Sequence, residues 1–149
     1  MVATQGNPLT RNNTHGVNWG RYALIALATV VAATIANLIV YYLGGAIVFY
    51  DPQFPVLATS GGTIFFTVIP ALIAPLLYAP ILRFARRPAL TFTIIAAIVL
   101  VISVMPDFTY IPTVPGSSPG QIAILVLMHI VAAVVITGML TRFTARQAR

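Results

Sequence analysis

The sequence predicts an all-α, polytopic membrane protein: an antiparallel bundle of four transmembrane helices with both termini cytoplasmic. Three observations carry this. Hydrophobic residues fill 59% of the 149 positions and charged residues only 7%, whereas soluble domains run at roughly 25% charged. Four apolar stretches each approach the roughly twenty residues that span a hydrocarbon core of about 30 Å. Every arginine lies in segments that four crossings place on one side of the bilayer.

The elements follow in order. Residues 1–20 form a polar leader containing Arg11 and His15. The first span, about 22–49, exceeds the 7–15 residues of a signal-peptide core. It therefore reads as a retained helix, although Gly44, Gly45 and Ala46 mimic a cleavage site. Trp19 and Tyr22 precede it and Tyr50 follows it, at the headgroup depths that amphipathic rings favour. Asp51-Pro52 and Phe54-Pro55 mark turns.

The second span, about 60–82, holds Pro70, Pro75 and Pro80. Each removes a backbone hydrogen bond, which makes a fixed kink or, as the alternative, a hinge or pore lining. Arg83, Arg86 and Arg87 fill the next turn, and Pro88 suits the first turn of the third span, about 89–105. From Pro106 to Gly120, four prolines predict an extended or turn-rich loop that carries Asp107. The fourth span covers about 121–141, so the transmembrane domain is 21–142, followed by a tail at 143–149.

Charge sets the orientation. Arg11 and Arg21, then Arg83, Arg86 and Arg87, then Arg142, Arg146 and Arg149 share one side, while Asp51 and Asp107 take the other. The positive-inside rule makes the arginine side cytoplasmic. Arg83, Arg86, Arg87, Arg142 and Arg146 can also contact anionic headgroups, although topology alone accounts for them. They are too dispersed to form a nucleic-acid face. Membrane lipids are the expected partners, with other membrane subunits or further copies of this chain.

In lipid, small and weakly polar residues mark helix interfaces. Helical spacing selects Thr29, Ala33, Asn37, Tyr41 and Gly44 or Gly45 in the first span, and Thr63, Thr67, Ala71 and Ala74 in the second. The third offers Thr93, Ala96, Ala97 and Ser103, and the fourth His129, Ala132, Ala133 and Thr137.

Asn37 and His129 are the most informative polar residues within the spans. Their similar depth permits a direct or water-bridged hydrogen bond between the first and fourth helices. His129 reads first as a structural clasp, second as a proton-relay or substrate-site residue. Its third reading is an axial ligand to haem or a bacteriochlorophyll-type pigment, fitted beside Ala132 and Ala133. Asp51 and Asp107 could form a weak cation site or an acid/base pair, but beside prolines they read as turn formers, and no third oxygen-rich cluster or Asp-x-Asp spacing supports a metal. With no Cys and no Lys, covalent catalysis has little to work with.

The stretches ANLIVYYLGG, RFARRP and LMHIVAAVVITGML resemble those of small bacterial four-helix membrane proteins known as a domain of unknown function. The likeness covers roughly residues 20–142 and rests on Asn37, on Arg83, Arg86 and Arg87, and on the Met128-His129 pair. It implies the four-span fold, a bacterial inner membrane and no activity. The expected function is non-enzymatic: an accessory or structural subunit of a membrane complex, or a self-associating bundle. The first alternative is a small transport or permeation protein using a site near Asn37 and His129. The second is pigment or haem binding through His129.

Overall fold

A computed structural model describes residues 18–145. Arg11, His15, Arg146, Arg149, most of the leader and the end of the tail lie outside the described residues. Four helices form, α1 (Trp19–Gly45), α2 (Ser60–Phe84), α3 (Pro88–Thr109) and α4 (Pro119–Ala145), with a short 3₁₀ turn at Ile111–Thr113. All four are long and apolar enough to cross a membrane. Their outward faces carry Leu24, Leu76, Val101 and Val134 at 65–73% exposure. Such a surface suits lipid rather than water.

Local chemistry sets the boundaries. Asn18 caps α1, its Oδ1 accepting the Arg21 N–H at 3.0 Å, so the helix starts earlier than the apolar run and takes in Trp19 and Arg21. It stops at Gly45, short of the expected Phe49. A Cβ at Gly44 would meet the Tyr50 hydroxyl at 2.6 Å and Ile124 at 2.8 Å, so glycine permits the chain to fold back and α4 to approach.

The third helix corrects the sequence reading. It continues through Pro106 to Thr109 instead of ending at Met105. Proline there forfeits one bond, to the Ile102 carbonyl, and helices packed in apolar surroundings tolerate that loss. Asp107 is therefore not a loop residue; it sits in the last turn of α3 and is only 4% exposed. The expected extended loop shrinks to a few residues around Gly116, whose φ of +77° is a left-handed conformation suited to glycine.

Packing is uneven. α1 lies closely against α4 and α2, and α3 against α4, whereas α2 and α3 touch sparsely. At the end carrying Arg21, Arg83, Arg87 and Arg142, the Tyr22 hydroxyl donates to the Pro75 carbonyl at 2.6 Å. Tyr78 and Thr144 share a hydrogen bond at 3.2 Å, and Tyr78 packs on Phe92 with ring centroids 4.5 Å apart. At the other end, residues 46–59 fold back over the helices. Phe54 and Leu57 there are fully buried with Ile111, Leu125 and Met128.

Tyr50 fastens that cap by donating to the Tyr41 carbonyl at 2.8 Å, and Tyr41 donates to the Leu57 carbonyl at 3.2 Å. Burial, and then neighbouring Tyr41, push the Tyr50 phenol above its ordinary value of 10.0, which keeps it a neutral donor.

The interface stripes hold for α1 and α2, where Thr29, Ala33, Asn37, Thr63, Thr67 and Ala71 are buried. On α3 the reading holds in part: Ala96 and Ser103 are half-buried and line a cavity, whereas Thr93 and Ala97 are exposed, and Phe92 and Asp107 are the buried residues. Thr93 satisfies its hydroxyl on its own helix, at the Ala89 carbonyl, so it needs no neighbour. On α4 the buried row is Leu125, Met128, Ile136 and Leu140. The expected row, from His129 to Thr137, is half-buried and lines a cavity.

Candidate functional site

The sparse contact between α2 and α3 leaves a cavity of about 500 Å³, within the 300–1,000 Å³ range of small-molecule sites. Its walls come mainly from α2, α3 and α4, with Asn37 contributed by α1. Most of the lining is apolar, including Phe66, Ile73, Leu77 and Val99, and these four are also 47–61% exposed. The cavity is thus open sideways, between α2 and α3. Leu57 of the folded-back segment lines one end, and Phe92, packed on Tyr78, lines the other. The geometry is that of a side-entered chamber rather than a straight pore.

The polar groups gather toward the capped end. Thr63 and Thr67 lie near the start of α2, Ser103 and Asp107 near the end of α3, and Asn37 and His129 at matching depth. Asn37 Nδ2 donates to Thr67 Oγ1 at 2.9 Å, and that hydroxyl donates onward to the Thr63 carbonyl at 2.7 Å. The direct Asn37–His129 hydrogen bond that matched depth permits does not form. Each residue has a nearer partner, although both line the same cavity.

His129 faces Asp107 instead. Its Nδ1 lies 2.9 Å from the Leu125 carbonyl and 3.2 Å from Asp107 Oδ2. Both neighbours are acceptors, so Nδ1 carries the proton, and a neutral ring then presents Nε2 as an acceptor. The single N–H is directed to the Leu125 carbonyl. Asp107 Oδ2 is left close to the ring without an aligned hydrogen bond.

Asp107 Oδ2 is not alone. Asn37 Oδ1 and Thr63 Oγ1 are also buried without a partner, and all three residues line the cavity. Gln121, wholly buried at the start of α4, is likewise unpartnered but lies outside the lining. Pro70, also in the wall, removes the amide that would bond the Phe66 carbonyl. Burying unmet polar atoms costs about 1–3 kcal/mol each. Three such atoms line this one space.

Of the sequence-selected prolines, Pro70 lines the cavity, Pro75 is buried with its carbonyl held by Tyr22, and Pro80 is exposed. α2 runs through all three as one helix. Arg83 stacks at 5.9 Å over Phe84. Among the described residues, no group of three or more His, Cys, Asp or Glu could hold a metal ion. Sequence reasoning missed Asp107 as a site residue. Its i, i+4 spacing from Ser103 places both on one helical face, a signal that Pro106 conceals because proline ends most helices.

Four helices, each long and apolar enough to cross a membrane, around a side-opening chamber define a small multi-pass membrane protein. The chain belongs to the family of unknown function DUF6069, which it matches over residues 14–146. No curated protein and no solved structure matches it.

Proposed function

We propose that this is a non-enzymatic membrane protein that takes a small amphipathic molecule from the bilayer into the chamber between α2 and α3. The single observation behind the proposal is the convergence of three buried, unpartnered polar atoms on one laterally open, mainly apolar cavity. The His129–Asp107 pair looks like the base half of a hydrolytic triad. Among the described residues no side-chain hydroxyl is hydrogen-bonded to His129, so no serine- or threonine-type triad is assembled.

The finer topology belongs to this proposal. The helices alternate in direction, and both termini lie in the cytoplasm of a bacterial cell whose inner membrane holds the protein. The one-sided arginines support this. The capped, polar end of the chamber then lies toward the outer leaflet. The same chamber serves a carrier acting alone or an accessory subunit presenting its ligand to a partner. Affinity purification in mild detergent separates these, since only the second recovers a stoichiometric membrane partner.

Photolabelling tests the proposal, using the protein in phosphatidylcholine nanodiscs and a neutral long-chain alcohol bearing a diazirine. Crosslinks should be saturable and concentrated on 66–77 and 95–103, and Ala133→Phe should remove them. Even labelling of outward residues such as Leu24 and Val101, unaffected by excess unlabelled alcohol, would contradict it.

A second reading has its own observation. An imidazole whose Nδ1–H is held by a backbone carbonyl, with a carboxylate nearby, is oriented as metal-ligating histidines are. Pigment or haem binding through Nε2 predicts visible absorbance in purified protein that His129→Leu abolishes. Colourless protein from a host that makes such pigments would dismiss it.

A further inference from the structure

The chamber's unmet groups share one chemical character. Asn37 Oδ1 and Asp107 Oδ2 are acceptors, the latter on a carboxyl group, and Thr63 Oγ1 is a hydroxyl that can accept. His129 directs its Nδ1–H at the Leu125 carbonyl rather than into the chamber. Of the nearby donors, Asn37 Nδ2 is bonded to Thr67 and the Thr67 hydroxyl to the Thr63 carbonyl, which leaves the Thr63 hydroxyl able to donate as well as accept. The arginines that would draw an anionic headgroup are at the far end. Arg142 lies thirteen residues along α4 from His129, or about 20 Å at 1.5 Å per residue.

We infer that the chamber is selective for an amphipathic molecule whose head donates hydrogen bonds, best of all a primary amine on an apolar chain. The head sits among Asn37, Thr63, Asp107 and His129, and the chain extends past Ala74, Leu77 and Ile136 toward Phe92. A protonated amine offers three donors and a positive charge to a site with surplus acceptors and a carboxylate. A carboxylate or phosphate head offers neither and meets Asp107. This inference rests on the chamber being a binding site, and the experiment keeps the two apart.

Three diazirine probes of equal chain length carry an amine, an alcohol or a carboxylate and are compared in phosphatidylcholine nanodiscs, where the lipid adds no net charge. The amine should half-saturate cavity labelling at a concentration about tenfold or more below the carboxylate, the scale of one charge-assisted hydrogen bond. Asp107→Asn should bring the amine to the level of the alcohol, and an unchanged circular dichroism spectrum shows that the variant is folded. Competition on the unaltered protein gives the same ranking without any variant. Equal labelling by all three, or preference for the carboxylate, overturns the donor-head inference and leaves the chamber standing. Failure of every probe to label the cavity saturably overturns both.

Discussion

Replacing Asn37 by Leu should make the unliganded protein more stable. The change removes the 2.9 Å hydrogen bond from Asn37 Nδ2 to Thr67, and interhelical bonds of this kind average about 0.6 kcal/mol. It also removes Oδ1, a buried acceptor with no partner, whose burial costs about 1–3 kcal/mol. Thr67 is not orphaned, because its hydroxyl still donates to the Thr63 carbonyl. Leucine matches asparagine closely enough in size to fill the space. The net change is a gain of about 0.5–2 kcal/mol, small because the two effects oppose. Thr67→Val is the contrast: it removes the acceptor of Asn37 Nδ2 and should cost about 1–2 kcal/mol. Denaturant titration in mixed micelles, followed by circular dichroism, measures both. An Asn37→Leu protein less stable than the parent by more than about 1 kcal/mol would show that Oδ1 is engaged by the protein, and the reasoning from unmet acceptors would fail.

Other outcomes follow from single contacts. Tyr22→Phe deletes the hydroxyl that holds the Pro75 carbonyl and should cost about 1 kcal/mol in the same titration; no change would mean the bond is replaced by water. Gly116→Ala places a Cβ 2.9 Å from the Phe54 backbone nitrogen at a φ of +77°, and about 1–3 kcal/mol of destabilisation should appear as a lowered melting temperature. Because the chain has no cysteine, single cysteines report topology cleanly. In intact cells an impermeant maleimide should label Ser117→Cys at once and Ala85→Cys only after permeabilisation, and the reverse would invert the assigned orientation.

The helices were legible because length and apolarity suffice to specify a span, and the α1 and α2 interfaces because weakly polar residues there recur at helical spacing. Asn37 and His129 stood out because polar side chains are conspicuous in an apolar run. Their partners were not legible. Equal depth on neighbouring helices does not fix rotation, so Asn37 turned to Thr67 and His129 to Asp107. Pro106 hid Asp107 because proline is a strong terminator in water and a weaker one among apolar neighbours. The lateral opening depends on how far α2 and α3 stand apart, a property of the whole assembly that no local pattern encodes.

An experimental structure in native lipid addresses the central claim most directly. The account predicts elongated non-protein density between α2 and α3, with its polar end within hydrogen-bonding distance of Asp107 and Asn37. Helices α2 and α3 packed against each other, with the Asp107 carboxyl bonded to protein groups alone, would contradict it.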